Sequence, residues 1–263
     1  MADPAAVRRR RLEGIVASRG FVRVADAAHE LEVSDVTIRG DLRELEVGGT
    51  IVRVHGGAMP AEALRESTLE QSRGRDSAAK HAIGRAAADL VVSGQSIFID
   101  VGSTALELAL ALVERRDLHD LVVVTSGLTI ALALEPAVPR FSVIVTGGML
   151  RPLQHSLVNP YAAPMLDSLQ FDVAFISCNG IHPDRGVTNL NLPEAEIKSR
   201  VVRRSRRHVL IADASKLGCT EVAVIGELGD FTELVTAGAV PPQLTAELEA
   251  RGLRVHLADS LDA

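Results

Sequence analysis

The chain has 263 residues, of which 47% are hydrophobic and 24% are charged, so its composition is that of a folded protein and excludes a disordered one. This length allows more than one domain. No apolar run reaches the length of a membrane-spanning helix, and the first residues lack the apolar stretch of a signal peptide. We therefore expect a cytoplasmic protein that binds no membrane. Cys178 and Cys219 are isolated, which fits a reducing compartment and favours core residues over reactive thiols.

The distribution of charge is more informative than its sum. The formal net charge is −6, which by itself does not suggest a nucleic-acid-binding protein. Residues 1–57, however, contain as many arginines as acidic residues, and Arg8 to Arg11 form an unbroken run. Because DNA binding needs only a local basic face, this part of the chain is a candidate for it.

The first 57 residues show a regular succession of short elements. We predict helices over residues 4–18, 25–31 and 34–46, extended pieces over residues 21–24 and 50–54, and a turn over residues 55–57. This is the order of a winged helix-turn-helix, in which the two extended pieces are expected to pair as part of the wing. A sheet this small is marginal unless helices pack beneath it.

The third predicted helix has the features of a recognition helix. Ser34 is a suitable N-cap, and Asp35 lies near the positive helix end. One face carries an apolar stripe, formed by Ile38, Leu42 and Leu45. Off this stripe lie Thr37, Arg39 and Arg43. A capped helix that presents such side chains can enter a DNA major groove, but an ordinary surface helix has the same pattern.

The motifs around this helix make the pattern specific. They are Val33-Ser34, Thr37-Ile38-Arg39, Asp41-Leu42, Leu45-Glu46 and Arg53-Val54-His55-Gly56-Gly57-Ala58. Through these motifs, residues 8–57 resemble the DNA-binding domain of the DeoR family of bacterial transcription regulators. The resemblance implies DNA contacts by Arg8, Arg9, Ser34, Thr37, Arg39, Arg43, Arg53 and His55. Residues 37, 39 and 43 are expected to read base edges, whereas the run 8–11 with residues 53 and 55 is expected to hold phosphates.

One position departs from the family pattern. The family has a second arginine after the one at position 39, and this chain has Gly40. Glycine inside a helix costs about 1 kcal/mol relative to alanine. The substitution also removes a cationic contact, so it bears on phosphate affinity or on the operator sequence and leaves the fold unaffected.

From residue 78 onward, helical segments alternate with short apolar runs. We predict strands over residues 96–100, 121–125, 141–145, 172–177 and 208–212, and shorter ones over 233–236 and 254–257. Such runs indicate a mainly parallel sheet covered on both faces. The predicted architecture is α/β, with a winged helix-turn-helix DNA-binding domain (1–58), a linker (59–77) and an effector-binding domain (78–263).

Polar residues follow several of these strands, where parallel sheets bind ligands. Gly102 lets a ligand approach the backbone, and the hydroxyls of Ser103 and Thr104, with the free N–H groups of the helix start, can hold a phosphate. Asp100 precedes them, and similar strand ends follow at Thr125, Ser126, Gly147 and Gly148. Helix caps and tight turns use the same residue types, so each motif alone is weak.

Two later clusters add charge. Glu194 and Lys198 are one helical turn apart, a spacing that also suits a weak surface ion pair. Lys216 follows the fifth predicted strand, where it is able to neutralise a phosphate or to lie exposed in solvent. These two lysines and Lys80 are the three lysines of a chain otherwise rich in arginine.

The family resemblance extends over residues 70–219. The matching pieces are Asp100-x-Gly102-Ser103-Thr104, Thr125-Ser126, Gly147-Gly148, Phe175-Ile176, Asn179-Gly180-Ile181, Gly186-Val187-Thr188, Glu194-Ala195-x-x-Lys198 and Asp213-x-Ser215-Lys216. Glu70 and Arg73 in the linker and Lys80 just after it also have a spacing comparable to the family's. They resemble the DeoR effector domain, whose sheet is of the sugar-phosphate isomerase-like type. The resemblance implies a phosphorylated sugar or related metabolite as effector. A family glycine is replaced by Asn159, and we expect residues 152–163 to set specificity.

Three functions are compatible with these features. The first is a transcription regulator that represses a carbohydrate catabolic operon. It would bind double-stranded operator DNA as a homo-oligomer, a dimer or tetramer, with no catalytic residue, metal or cofactor. The second is a sugar-phosphate isomerase-like enzyme with an appended DNA-binding domain, in which Glu194, Asp213 and Lys216 would do acid–base work. The third is a DNA-binding protein without an effector, which leaves the loop at residues 100–104 unexplained. We favour the first.

Overall fold

The computed structural model describes residues 4–19, 21–54, 56–60 and 66–259. The chain forms two compact units, Met1–Ser67 and Thr68–Ala263. The division lies inside the segment 59–77 that the sequence predicts as a linker. No helix in the described ranges is long and apolar enough to cross a bilayer.

The first unit is a winged helix-turn-helix. Its elements are α1 (Pro4–Arg19), β1 (Val22–Arg23), α2 (Val24–Glu30), α3 (Asp35–Val47), β2 (Ile51–Val54) and β3 (Gly57–Pro60). The strand order is β1-β3-β2, with β3 antiparallel to both neighbours. The expected direct pairing of residues 21–24 with 51–54 is therefore wrong, because β3 lies between them. A Cβ atom at Gly57 would lie 2.3 Å from the Val22 carbonyl oxygen, so the close approach of β1 and β3 requires glycine there.

The three helices of this unit enclose one small core. Leu12 and Val16 of α1 meet Ile38 and Leu42 of α3 in it, and Ile51 of the wing joins them. In the apolar stripe predicted for the third helix, Ile38 and Leu42 are thus buried and Leu45 is partly buried. This core provides the helical support that the short wing strands need.

The second unit is built on a seven-stranded parallel sheet. Its elements are α4 (Leu69–Gly74), α5 (Ser77–Ala88), β4 (Ser96–Ile99), α6 (Ser103–Glu114), β5 (Leu121–Thr125), α7 (Leu128–Leu134), β6 (Phe141–Val145), β7 (Met149–Arg151), β8 (Ser156–Val158), α8 (Ala162–Asp167), β9 (Phe171–Ile176), β10 (Gly180–His182), β11 (Gly186–Asn189), α9 (Leu192–Arg203), β12 (Ser205–Ile211), β13 (Ala223–Gly226), β14 (Glu233–Thr236), α10 (Pro242–Ala250) and β15 (Arg254–Leu257). The sheet order is β15-β14-β12-β9-β4-β5-β6. All seven predicted strands are present in it.

Both faces of this sheet are covered, as the continuous apolar runs predicted. Ile97 and Ile99 of β4 belong to an apolar cluster with α5, α6 and α7. Phe98, between them, belongs to a second cluster with α8, α9 and α10. Strands β5 and β6 continue on one side of β4, whereas β9, β12, β14 and β15 lie on the other. The strand order therefore reverses between β4 and β9, and ligands of open parallel sheets bind at such a point.

Two small antiparallel sheets were not predicted. One has the order β10-β11-β13, and the other is the β7–β8 hairpin, which joins β6 to α8. Helix α4 lies within the segment predicted as a linker, in which residues 61–65 are outside the described ranges. The hairpin includes part of the predicted specificity segment 152–163. Helix α4 begins two residues after the end of the first unit.

Candidate DNA-binding surface and effector site

Helix α3 presents its polar side to solvent. Arg39 and Arg43 are exposed, and Thr37 is half-buried. Ser34 caps the helix: its Oγ accepts from the Thr37 backbone N–H at 3.2 Å and lies 2.9 Å from the Thr37 hydroxyl. The cap thereby orients the first side chain expected to read a base edge. The helix has the burial pattern that a recognition helix needs.

Gly40 lies on the same exposed side of α3. A Cβ atom built there would meet nothing within 4 Å, and Gly40 is not among the glycines with a positive φ. A longer side chain would therefore fit without a shift of the helix. The glycine is not required by the fold of this unit.

Arg8 has a role that the sequence did not suggest. Its Nε donates to Asp41 Oδ2 at 2.5 Å and its Nη2 donates to Asp41 Oδ1 at 3.1 Å. Asp41 is 5% exposed, so this bidentate pair ties α1 to the buried side of α3. The expectation that Arg8 holds a DNA phosphate does not fit this geometry, because its guanidinium is already committed to a carboxylate.

The other expected phosphate contacts have different surroundings. Arg9 is half-buried, whereas Arg10 and Arg11 are exposed. Arg53 is exposed, and its Nε lies 3.7 Å from a carboxylate oxygen of Glu46. His55 lies outside the described residues. The wing thus offers Arg53 at the surface next to α3.

The candidate effector site is centred where the strand order reverses. Lys198 of α9 places its Nζ 3.0 Å from Asp100 Oδ2, at the end of β4. The same carboxylate oxygen accepts from the backbone N–H and the hydroxyl of Ser177, at the end of β9. Lys198 also donates to Asn189 Oδ1 at 3.1 Å. Asp100 and Lys198 are 1% and 3% exposed, so this polar cluster is buried and bonded.

The electrostatics of this cluster keep the lysine charged. Burial acts to lower the pKa of Lys198, but the Asp100 and Glu194 carboxylates and the hydrogen bond to Asp100 outweigh it and raise the pKa above its usual value. A fixed positive charge therefore lies beneath the strand ends. The Asp100 carboxylate partly compensates this charge.

The predicted loop after β4 has the geometry of an anion site. Gly102 has a φ of 106° and directly precedes α6, a conformation that favours glycine. Ser103 and Thr104 form the first turn of α6 and are buried at its start. The first backbone N–H groups of α6 point out of the helix end, as in other anion-binding helix termini.

At the ends of β5 and β6, the polar groups described bond mainly to the neighbouring loops and to the β7–β8 hairpin. Thr125 Oγ1 accepts from the Gly127 N–H at 3.0 Å, and the Ser126 carbonyl accepts from the Leu157 N–H at 2.7 Å. Gly147 and Gly148 both have positive φ. A Cβ atom at Gly148 would lie 2.1 Å from the carbonyl oxygen of Val158 in β8. This glycine pair therefore serves the packing of the β7–β8 hairpin against the strand ends.

Glu194 and Lys198 are not a surface ion pair. Both are buried, and Glu194 Oε1 accepts from Ser156 Oγ at 2.6 Å and from the Arg151 guanidinium. Sequence reasoning missed Arg151, Ser177 and Asn189. Arg151 directly precedes the predicted specificity segment 152–163, but nothing in its local pattern shows the distant carboxylate that it binds.

The remaining lysines lie near the end of β12. Lys216 is half-buried, and Lys80 is 5% exposed with its Nζ 2.5 Å from the carbonyl oxygens of both Ser72 and Arg75. Burial lowers the pKa of Lys80, and the charges of Asp213 and Lys216 are near enough to shift it further in opposite directions. Within the described ranges, no group of three or more His, Cys, Asp or Glu side chains is arranged to hold a metal ion.

Comparisons with known proteins agree with these two units. The family model of the DeoR-like helix-turn-helix domain matches residues 8–63, and that of the DeoR C terminal sensor domain matches residues 75–237. The HTH-type transcriptional repressor CsqR of Escherichia coli strain K12 is 30% identical over 243 residues, or 92% of each chain. The HTH-type transcriptional regulator GlpR of Haloferax volcanii is 33% identical over 251 residues, or 95% of this chain and 96% of the relative.

One further relative and one solved structure are similar to this chain. The lactose phosphotransferase system repressor of Streptococcus mutans is 32% identical over 225 residues, or 84% of this chain and 88% of the relative. Among solved structures, ribose 5-phosphate isomerase from Plasmodium falciparum aligns with a TM-score of 0.40 and 18% identity over 55% of this chain and 54% of that chain. The relatives named here are transcription regulators, not enzymes. With a DeoR-like helix-turn-helix domain and a DeoR-type sensor domain in one polypeptide, the chain belongs to the DeoR family of transcription regulators.

Proposed function

We propose that the chain represses a carbohydrate catabolic operon and that a phosphorylated sugar or related metabolite controls its affinity for operator DNA. The observation that carries this proposal is the buried polar cluster of Asp100, Ser177 and Lys198 beside the open start of α6. Charged side chains are rarely buried unless they are paired or serve a site. Relatives named as repressors, one of them of a lactose phosphotransferase system, support the same assignment.

The effector would bind with its phosphate at the start of α6. The N–H groups there, with the hydroxyls of Ser103 and Thr104, suit a phosphate, and Lys216 would add a positive charge. Asp100, Lys198 and Glu194 would orient the sugar hydroxyls. Glycine at position 102 would let the ligand approach the backbone closely.

The operator would be read by α3. Thr37, Arg39 and Arg43 would contact base edges, with Ser34 setting the start of the helix, while Arg9 and Arg53 would hold phosphates. Arg39→Ala should weaken binding by about 1–3 kcal/mol at one operator position if Arg39 contacts a guanine. An equal loss on operator and on random DNA would instead place Arg39 on a phosphate.

A homo-oligomer would present two such helices to successive major grooves, about 34 Å apart, as a dimer or a tetramer. Its place of action would be the cytoplasm, where operator DNA is available. Analytical ultracentrifugation with and without operator DNA tests this assembly, and a monomer on a single half-site would refute it.

A thermal-shift comparison tests the effector class. Ribose 5-phosphate, fructose 1-phosphate, glucose 6-phosphate and glycerol 3-phosphate would each be compared with the unphosphorylated compound. A ligand at 100 times its Kd stabilises the folded chain by about 2.7 kcal/mol. Each stabilising compound would then be added to the protein on a duplex that the protein has itself selected from a random-sequence library. Stabilisation by phosphorylated compounds together with release of this duplex is expected; release by none of them would contradict the proposal.

Lys216→Ala gives a matched test of the site. Lys216 is half-buried and is not a core residue, so removal of its side chain should leave duplex binding intact. The variant should respond more weakly to the phosphorylated compound. Arg185→Ala, at an exposed position outside the strand ends, is the control. A normal response by the Lys216 variant would remove this lysine from the site.

A further inference from the structure

The β7–β8 hairpin is attached directly to the loops of the candidate effector site. Leu157 of β8 donates its N–H to the Ser126 carbonyl, and Gly127 forms a β-bridge with Ser156. On the other side, Gly148 is pressed against the Val158 carbonyl. The hairpin is therefore attached to the loops that follow β5 and β6. A displacement of these loops is expected to displace the hairpin.

An ion pair fixes the turn end of the hairpin. Arg151 ends β7 and Ser156 begins β8, and these two residues are paired across the hairpin. Both bond the same oxygen of Glu194, in the first turn of α9. One turn further along α9, Lys198 binds Asp100 at the strand-order reversal. Helix α9 thus connects the hairpin and the centre of the site.

The turn of the hairpin is bonded to α4. The Leu69 N–H, at the start of α4, donates to the Leu153 carbonyl at 2.8 Å. His155, on the same turn, has its Nε2 3.8 Å from Glu70 Oε1 and its Nδ1 2.9 Å from Thr129 Oγ1. Thr68, which caps α4, is the first residue of the sensor unit. The chain runs from this cap back into the DNA-binding unit.

The other end of α4 is held by a lysine. The buried ammonium of Lys80 donates to the carbonyls of Ser72, inside α4, and of Arg75, its C-cap residue. A helix of six residues is not stable by itself in water. The order of α4 therefore depends on its tertiary contacts, which include the burial of Leu69, the bond to the hairpin turn and the bonds from Lys80.

We propose that Arg151 is a positioning residue that couples the effector site to α4, and that a bound effector releases α4 by drawing Arg151 away from Glu194. The proposal rests on the function proposed above for its effector. A phosphate is a strong bidentate partner for a guanidinium, so an anion at the strand ends competes with the Glu194 carboxylate for Arg151. The hairpin turn then loses its support, and the Leu69 N–H loses the Leu153 carbonyl.

Hydrogen exchange on the full chain without any ligand tests the coupling itself. Arg151→Met removes the guanidinium and keeps an unbranched apolar stem. Amides of residues 69–76 should exchange at least tenfold faster in this variant, because the hairpin turn that accepts the Leu69 N–H loses its anchor on Glu194. Arg207→Met is the matched control, because Arg207 forms another buried pair with a glutamate, Glu233, away from the hairpin. It should change α4 exchange less than twofold.

Two more variants keep the test decisive. Arg151→Lys retains the charge and should restore most of the protection of α4, which a loss of general stability would not predict. If Arg151→Met does not fold, Ser156→Ala removes the second bond to Glu194. It should still raise α4 exchange severalfold. If the α4 amides exchanged at the same rate in Arg151→Met, in Ser156→Ala and in Arg207→Met, the proposal would be overturned.

A second experiment, with ligand, distinguishes a failure of the coupling role of Arg151 from a failure of the proposed function. It uses the phosphorylated compound with the largest thermal shift among the four above, and the selected duplex. We expect this compound to weaken duplex binding at least tenfold in the wild-type chain and less than threefold in Arg151→Met. An equal factor in both chains would overturn the coupling role of Arg151. If no compound binds the wild-type chain, the proposed function fails, and the ligand-free exchange comparison still decides the coupling.

Discussion

The ammonium of Lys198 lies 3.0 Å from the carboxylate of Asp100, at the point where the strand order of the parallel sheet reverses. Lys198 comes from α9 and Asp100 from the end of β4, so their pairing connects a covering helix to the end of a central strand. Both are almost fully buried. A pair of this kind stabilises the fold only while both partners are present, because either charge alone would be buried without compensation.

Removal of one partner should therefore be strongly destabilising. Lys198→Met should lower the free energy of unfolding by about 3–5 kcal/mol, and Asp100→Asn combined with Lys198→Met should recover part of the loss. Urea denaturation followed by circular dichroism measures both. Arg251→Met, which breaks an exposed pair with Asp184, is the control and should have a much smaller effect. If the double variant were less stable than Lys198→Met, burial of an unpaired charge would not be the cause.

A second prediction separates two neighbouring arginines of α1. Arg8→Met should destabilise the DNA-binding unit by about 1–3 kcal/mol, because the buried Asp41 carboxylate loses its bidentate partner. Arg9→Met should leave the free energy of unfolding nearly unchanged. If Arg9 holds a phosphate, the slope of log duplex affinity against log salt concentration should decrease in magnitude by about 1. Thermal unfolding and duplex binding at several salt concentrations distinguish the two. An unchanged melting temperature with a reduced slope in Arg8→Met would assign the phosphate role to Arg8.

Gly40 offers a gain-of-function prediction. Gly40→Ala should stabilise the unit by about 1 kcal/mol through helix propensity alone, since the site is open. Gly40→Arg should add a cationic contact, so duplex affinity should rise and the salt slope should increase by about 1 relative to Gly40→Ala. Binding titrations at two salt concentrations check this. Equal affinity of both variants would show that position 40 does not face the DNA backbone.

Sequence patterns predicted the parts of the fold that have local signatures. The strands of the parallel sheet appear as apolar runs, and the winged helix-turn-helix appears as a succession of capped and apolar segments. The β7–β8 hairpin has strands of three residues each, too short for a periodic pattern. In the site, the spacing of Glu194 and Lys198 matched an exposed pair, because burial is a tertiary property. The roles of Arg8 and Arg151 depend on carboxylates far away in the sequence, which no local pattern specifies.

The last prediction concerns the pH dependence of stability through Glu233. Glu233 is buried between β12 and β15, where it accepts from the Arg207 guanidinium and lies 2.7 Å from His256 Nε2. The bond from Arg207, opposed in part by burial and aided by His256, lowers the pKa of Glu233 below its usual value of 4.5. Because the folded-state pKa is the lower one, this carboxylate contributes its full stability above about pH 4.5 and loses it as the pH falls through the folded-state pKa.

Glu233→Gln should therefore unfold more easily than the wild-type chain at pH 7, by about 1–3 kcal/mol, because Arg207 loses a charged acceptor. The difference between the two chains should shrink as the pH falls below about 4.5. Urea titrations at intervals between pH 3 and pH 7 measure this difference directly. Asp184→Asn, at the exposed pair with Arg251, controls for general acid effects. A difference that grows as the pH falls below about 4.5 would mean that the Glu233 carboxyl group is favoured in its protonated form in the folded chain, contrary to the direction argued from its contacts.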